Sequence, residues 1–125
     1  MMRESLLIVA LLAFFSPAAF ASQTVCVFEA DPSAHYYEVE FIGDGDAKPV
    51  IVFSSTDFGA GKRFTLSVEH YVLKHFDPKA GSVDLEFHNP GDVTPSPSFG
   101  LVGSEGRARL KTGSMIIDGE FKCGN

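Results

Sequence analysis

The chain has no tryptophan and only two cysteines, and its basic side chains are outnumbered, 10 Lys and Arg against 16 Asp and Glu. Each shortage excludes something. A net charge of −6 argues against nucleic acid and anionic lipid as partners, because both demand a basic surface. The lack of tryptophan removes the strongest stacking platform for single-stranded bases. A basic secreted or envelope protein is the partner that the charge suits. Beyond residue 15 no apolar run is long enough to span a bilayer as a helix. No segment after the first 21 residues has a convincing helical period.

Motifs for common chemistries are missing as well. Gly59-Ala60-Gly61-Lys62 has the outline of a phosphate loop, but Thr56 stands where the pattern needs glycine and Arg63 where it needs Ser or Thr. Asp44-Gly45-Asp46 opens like a calcium loop, but Lys48 and Ser55 occupy ligand positions. Gly103-Ser104-Glu105-Gly106 lacks the spacing of a nucleophile elbow. No cofactor, metal or catalytic set is assigned from sequence.

What is present begins with a leader. Leu6 to Phe15 is an uninterrupted apolar run, Ser16-Pro17 breaks it, and Ala19-Phe20-Ala21 fits a small-x-small cleavage site. Residues 1–21 therefore read as a secretory signal, and 22–125 as one exported domain of roughly 100 residues, periplasmic or extracellular. An oxidising compartment makes a bridge between Cys26 and Cys123 the expected state. Bridged cysteines sit with Cα atoms about 4.4–6.8 Å apart, so the first and last strands should be neighbours, with the bridge facing inward.

The remaining pattern has period two. Phe64, Leu66 and Val68 alternate with Thr65, Ser67 and Glu69. Val83, Leu85 and Phe87 alternate with Asp84, Glu86 and His88. Met115, Ile117, Phe121 and Cys123 share one face near the end. About eight strands are expected, near 23–29, 35–42, 48–54, 62–70, 82–88, 98–103, 106–112 and 114–123, with one helical turn near 71–76. Short strands with frequent turns predict an all-β fold: a small antiparallel barrel closed by the disulfide between terminal strands, or a β-sandwich as the alternative. A two-residue loop at Thr112-Gly113 would set Leu110 opposite Met115, Ala108 opposite Ile117 and Arg107 opposite Asp118.

Candidate chemistry is sparse. Asp84, Glu86 and His88 share a strand face, but residues two apart on a strand are separated by about 6–7 Å and need convergent partners to hold a metal. His70 would continue the apolar side of its strand as a half-buried imidazole; His35 and His75 are scattered. Arg107, Arg109 and Lys111 form a basic stripe. The 55–61 loop with Phe58, read as exposed, and the proline-rich loop with Pro95 and Pro97 are the expected ligand or partner loops, since recognition favours loops on a rigid scaffold. These features predict a binding module for a protein or small ligand, in one form an inhibitor of a secreted hydrolase by analogy of architecture. A small enzyme using His70 or His88 as general base, or a structural envelope component, are the alternatives.

Overall fold

A computed structural model of the chain describes residues 23–31, 35–43, 48–91 and 96–124. The expected leader, the 44–46 turn and Pro95 lie outside them. Among the described residues the fold is all-β, with nine strands: β1 (Gln23–Ala30), β2 (Tyr37–Gly43), β3 (Val50–Ser55), β4 (Phe64–Thr65), β5 (Tyr71–Asp77), β6 (Ser82–Phe87), β7 (Phe99–Ser104), β8 (Arg107–Thr112) and β9 (Met115–Cys123). They form one antiparallel sheet in the order β4-β3-β2-β1-β9-β8-β7-β6-β5. A single curled sheet, a half-barrel, takes the place of the two-sheet alternative.

The order follows from short connections between sequence neighbours and from one non-local pairing, β1 with β9. The terminal strands are neighbours, as the cysteines predicted, and they lie in the middle of the sheet. Cys26 pairs directly with Cys123 and is bonded to it, with Cα atoms 3.9 Å apart, closer than the usual span. Cys26 is buried and Cys123 half-buried against the core, so the bridge faces inward.

The sheet ends at β4 and β5, which are consecutive in sequence. The 66–70 segment links them. Leu66 N donates to Ile51 O at 2.8 Å, and His88 N donates to His70 O at 2.8 Å. Aromatic rings fill the space inside the curl. Phe41 of β2 stacks on Phe76 of β5 at 4.9 Å, and Phe53 of β3 on Phe99 of β7 at 5.3 Å. Contacts from one half of the sheet to the other hold the curl, and each buried ring contributes on the order of 2–3 kcal/mol of transfer free energy.

Three expectations change. The 62–70 strand is cut short after Thr65. Ser67 instead accepts a hydrogen bond from Glu69 N at 3.4 Å and caps a single helical turn over Val68–His70; a serine side chain that competes for backbone donors favours such a cap over a ladder. Val68 is thereby 73% exposed. The helical turn expected at 71–76 is instead β5, paired with β6 from Tyr71 to Asp77 with a bulge at Lys74.

The last hairpin turns at Gly113-Ser114, one residue later than expected. Gly113 has φ +58°, the positive value that a type II′ loop needs at its first central position. The register moves by two residues. Leu110 faces Ile117, Ala108 faces Gly119, Arg107 faces Glu120, and it is Arg109 that faces Asp118. An even shift keeps every side chain on its predicted face, so the face assignment survives while the pairs change.

Candidate functional site

Antiparallel alternation sorts the connections onto two ends. The ends of β1, β3 and β6 and the starts of β2, β7 and β9 share one end. It carries the two longest connections, 56–63 and 88–98, together with 31–36. The other end carries the disulfide and the tight turns before β6 and β8, where Gly106 N donates to Gly81 O at 3.2 Å and Phe121 N to Gly106 O at 2.8 Å.

At the loop end the β2–β3 ladder runs from Ile42↔Val50 to Tyr37↔Ser55. Continuing that register past the strands sets His35 opposite Asp57. The side chains meet there. His35 Nδ1 lies 2.9 Å from Asp57 Oδ2, and the hydroxyl of Tyr37 donates to the same oxygen at 3.1 Å. Asp57 N donates to Ser55 Oγ at 3.0 Å, which fixes the turn that presents the carboxylate. Tyr37 is fully buried. Burial first, and then the hydrogen bond to Asp57, push its hydroxyl pKa above the usual tyrosine value. The ring packs on Phe53 and Phe58. Phe58, expected to be exposed, is half-buried against the core, because the 56–63 loop folds back over the end of the half-barrel. That fold-back runs through Gly59, Ala60 and Gly61, all with positive φ (80°, 56° and 83°). Ala60 carries a Cβ into a region that disfavours it.

The 88–98 loop is tied at its base. Asn89 N donates to Ser98 Oγ at 2.8 Å, Asn89 Nδ2 to Ser96 O at 2.7 Å, and Thr112 Oγ1 to Ser98 O at 2.8 Å. Ser96 is buried and Pro97 half-buried. The described ends of the loop are therefore tied together beside the start of β7.

The polar residues of β6 lie elsewhere, on the outer face of β5–β9. They line an open trough of about 1380 Å³ that includes His70, Asp84, Glu86, His88, Arg109 and Lys111. β6 supplies the acidic side and β8 the basic side, with Gly100 and Val102 of β7 as the floor between them. The charges lean outward to the next strands. Lys74 pairs with Glu86 at 3.2 Å, and Arg109 with Asp118 at 2.7 Å. The Arg109 hydrogen bond holds the Asp118 carboxyl below the usual range. No group of three or more metal-ligating side chains converges among the described residues.

No family model, curated protein or solved structure matches the chain. The site must be read from its own geometry. His70, half-buried at the end of the helical turn, and exposed His88 face the trough without a carboxylate in hydrogen-bonding reach among the described residues. The arrangement in which a carboxylate orients an imidazole is at the loop end, where Asp57 meets His35 Nδ1. Sequence reading missed this group because it treated His35 as one of several scattered histidines. The signal was the hairpin register: once Tyr37 is opposite Ser55, His35 and Asp57 must face each other.

Proposed function

We propose that this chain is an exported binding module that recognises a partner through its loop end. The observation that carries the reading is the group built there from two segments, 35–37 and the turn after β3: one carboxylate oxygen of Asp57 shared by the buried hydroxyl of Tyr37 and the exposed imidazole of His35. It sits beside the two longest loops, on the scaffold's only side with irregular backbone of that length among the described residues. The positive φ of Ala60 within the adjoining turn supports it, since backbone strain is held where the surroundings over-determine a conformation and collects at functional loops. Export rests on the leader pattern and fits the disulfide, and no helix among the described residues is long and apolar enough to cross a membrane.

The partner class is a basic protein from the same secreted or envelope fraction, by charge: the outer face of β9, β1 and β2 adds Glu120, Glu29 and Glu38 in register with one another. Inhibition of a secreted hydrolase is one form that such recognition takes. The His35–Asp57 pair supports a second reading, general-base chemistry, with His35 in place of His70 or His88.

Affinity capture tests both. Immobilised protein should retain a specific species from the secreted and envelope fraction, and His35→Ala with Phe58→Ala should abolish retention, while Val50→Ser at the opposite end leaves it intact. Retention unaffected by the loop-end changes would overturn the binding reading. Turnover of a substrate lost in His35→Ala, without any retained protein, would favour the second.

A further inference from the structure

Gly100 has no internal reason to be glycine. At Gly103 and Gly119, both on the inner face, a Cβ would collide with backbone or with the Phe28 ring. At Gly100, on the outer face of β7, the nearest atom to an added Cβ is Leu85 O at 3.8 Å, ordinary contact, and its φ is not in the left-handed region. A glycine inside a central strand weakens the strand and marks a place where another backbone approaches closely. Within the molecule no backbone makes that approach.

The side chains around Gly100 identify what approaches. Reading across the sheet, one outward row is Val72, Glu86, Gly100, Lys111 and Ile116; the next is His75, Asp84, Val102, Arg109 and Asp118, with Lys74 at the β5 bulge between the two rows. The strands flanking β7 are complementary about it. Acid on β6 is balanced by base on β8 at the same height in both rows, and exposed Val72 (58%) by exposed Ile116 (59%) in the first. A two-fold axis lying along β7 maps β6 of one copy onto β8 of the other. Asp84 then faces Arg109, Glu86 faces Lys111, Val72 faces Ile116, and Gly100 faces Gly100, each twice. An in-plane axis across the strands would instead stack acid on acid and base on base. Isologous interfaces require this kind of self-complementarity, and sheets pack face to face with their strands nearly aligned.

Neither Asp84 nor Lys111 makes an ion pair within 4 Å among the described residues; Asp84 feels the Lys74 charge only at longer range. The intramolecular pairs of Glu86 and Arg109 lie on the far sides of those residues from β7.

We infer that the outer face of β5–β9 is the interface of a symmetric homodimer, two copies packed sheet to sheet about an axis along β7. Because the axis runs along the strands, both loop ends point the same way, and a bivalent partner would meet two recognition surfaces side by side.

Sedimentation of the purified protein, alone and in mixtures, tests this. Wild type sediments as a dimer that dissociates as salt is raised, because the pairs are screened. Asp84→Arg alone and Arg109→Asp alone each place like charges together and sediment as monomers. Mixing the two restores a dimer, since each copy then offers what the other lacks. Gly100→Arg, which the open space at that position lets fold, is monomeric and is not rescued by mixing with either. Circular dichroism of each variant verifies the fold. A monomeric wild type, dimers that persist in Gly100→Arg, or a mixture of folded single variants that stays monomeric each overturns the proposal. A wild type that is monomeric but binds a foreign peptide of mixed charge on this face would do so as well.

Discussion

The two ends of the half-barrel are built by different physics. One end is stapled. The Cys26–Cys123 bridge joins positions 97 apart in sequence, and tight turns hydrogen-bond to their neighbours across it. The other end is held by polar side chains reaching between loops, with Asp57 as the shared acceptor and with a backbone turn carried at positive φ. A covalent link and ladder bonds fix the first end whatever its loops do. The second depends on a few side chains, one of them the buried Tyr37, so changes there bear on both recognition and local stability.

The largest expected effect lies at the stapled end. Replacing both cysteines with alanine should cost about 2–5 kcal/mol, the usual range for a long-loop bridge in a small domain, seen as a lowered urea midpoint. Protein that remains folded should keep its loop-end retention. Loss of retention at full folding would mean that the two ends are coupled.

Asp57→Ala comes next. It leaves the buried Tyr37 hydroxyl with only the weak acceptor Met115 Sδ at 4.0 Å, at a cost of about 1–3 kcal/mol, and should abolish retention. Comparable loss of stability with retention intact would make the group a structural tie and nothing more.

Alkaline titration follows from the same hydroxyl. Its pKa is raised in the folded state by burial and by Asp57, so the folded protein holds that proton more tightly than the unfolded chain does. The stabilisation is complete below the unfolded value near 10 and is lost as pH climbs through the folded pKa. Tyr37→Phe should shallow the fall in urea midpoint above pH 10 without flattening it, since Tyr36 and Tyr71 are also raised. An unchanged slope would show that Tyr37 is not the titrating group.

The smallest change is Ala60→Gly, which relieves a left-handed alanine and should raise stability by up to ~1 kcal/mol after the added freedom of the unfolded chain is set against it. If the turn is strained in order to present Asp57 and Phe58, the same variant should bind less well although it is more stable.

Much of this contrast could be read from the residues, but unevenly. The period-two runs of β6 and β8, the positions of the cysteines and the turn residues specify an antiparallel sheet with its termini side by side, because each is a local or a covalent signal. The face of every residue in the last hairpin was also legible, since alternation survives an even slip. The slip itself was not: Thr112-Gly113 and Gly113-Ser114 are both acceptable two-residue loops, and only packing against β7 and β9 decides between them. The 62–70 segment misleads for a related reason. Its alternation continues through Val68, but the chain must cross from β4 to β5 there, and the cap supplied by Ser67 takes precedence over periodicity. The His35–Asp57–Tyr37 group was hidden because Asp57 lies 20 residues beyond Tyr37 and is brought to it and to His35 only through the β2–β3 register. The trough was hidden because Asp84, Glu86 and the Arg107 stripe belong to different hairpins that the sheet sets two strands apart.

Native-state hydrogen exchange tests the difference between the ends most directly. Amides of β1 and β9 around the bridge, such as those of Val27, Phe28 and Phe121, should exchange only through global unfolding, with a denaturant dependence equal to that of the whole protein. Amides of the 56–63 loop and the 66–70 crossing should exchange through local opening at much lower free energy, nearly independent of denaturant. Equal protection and equal denaturant dependence at both ends would contradict the account.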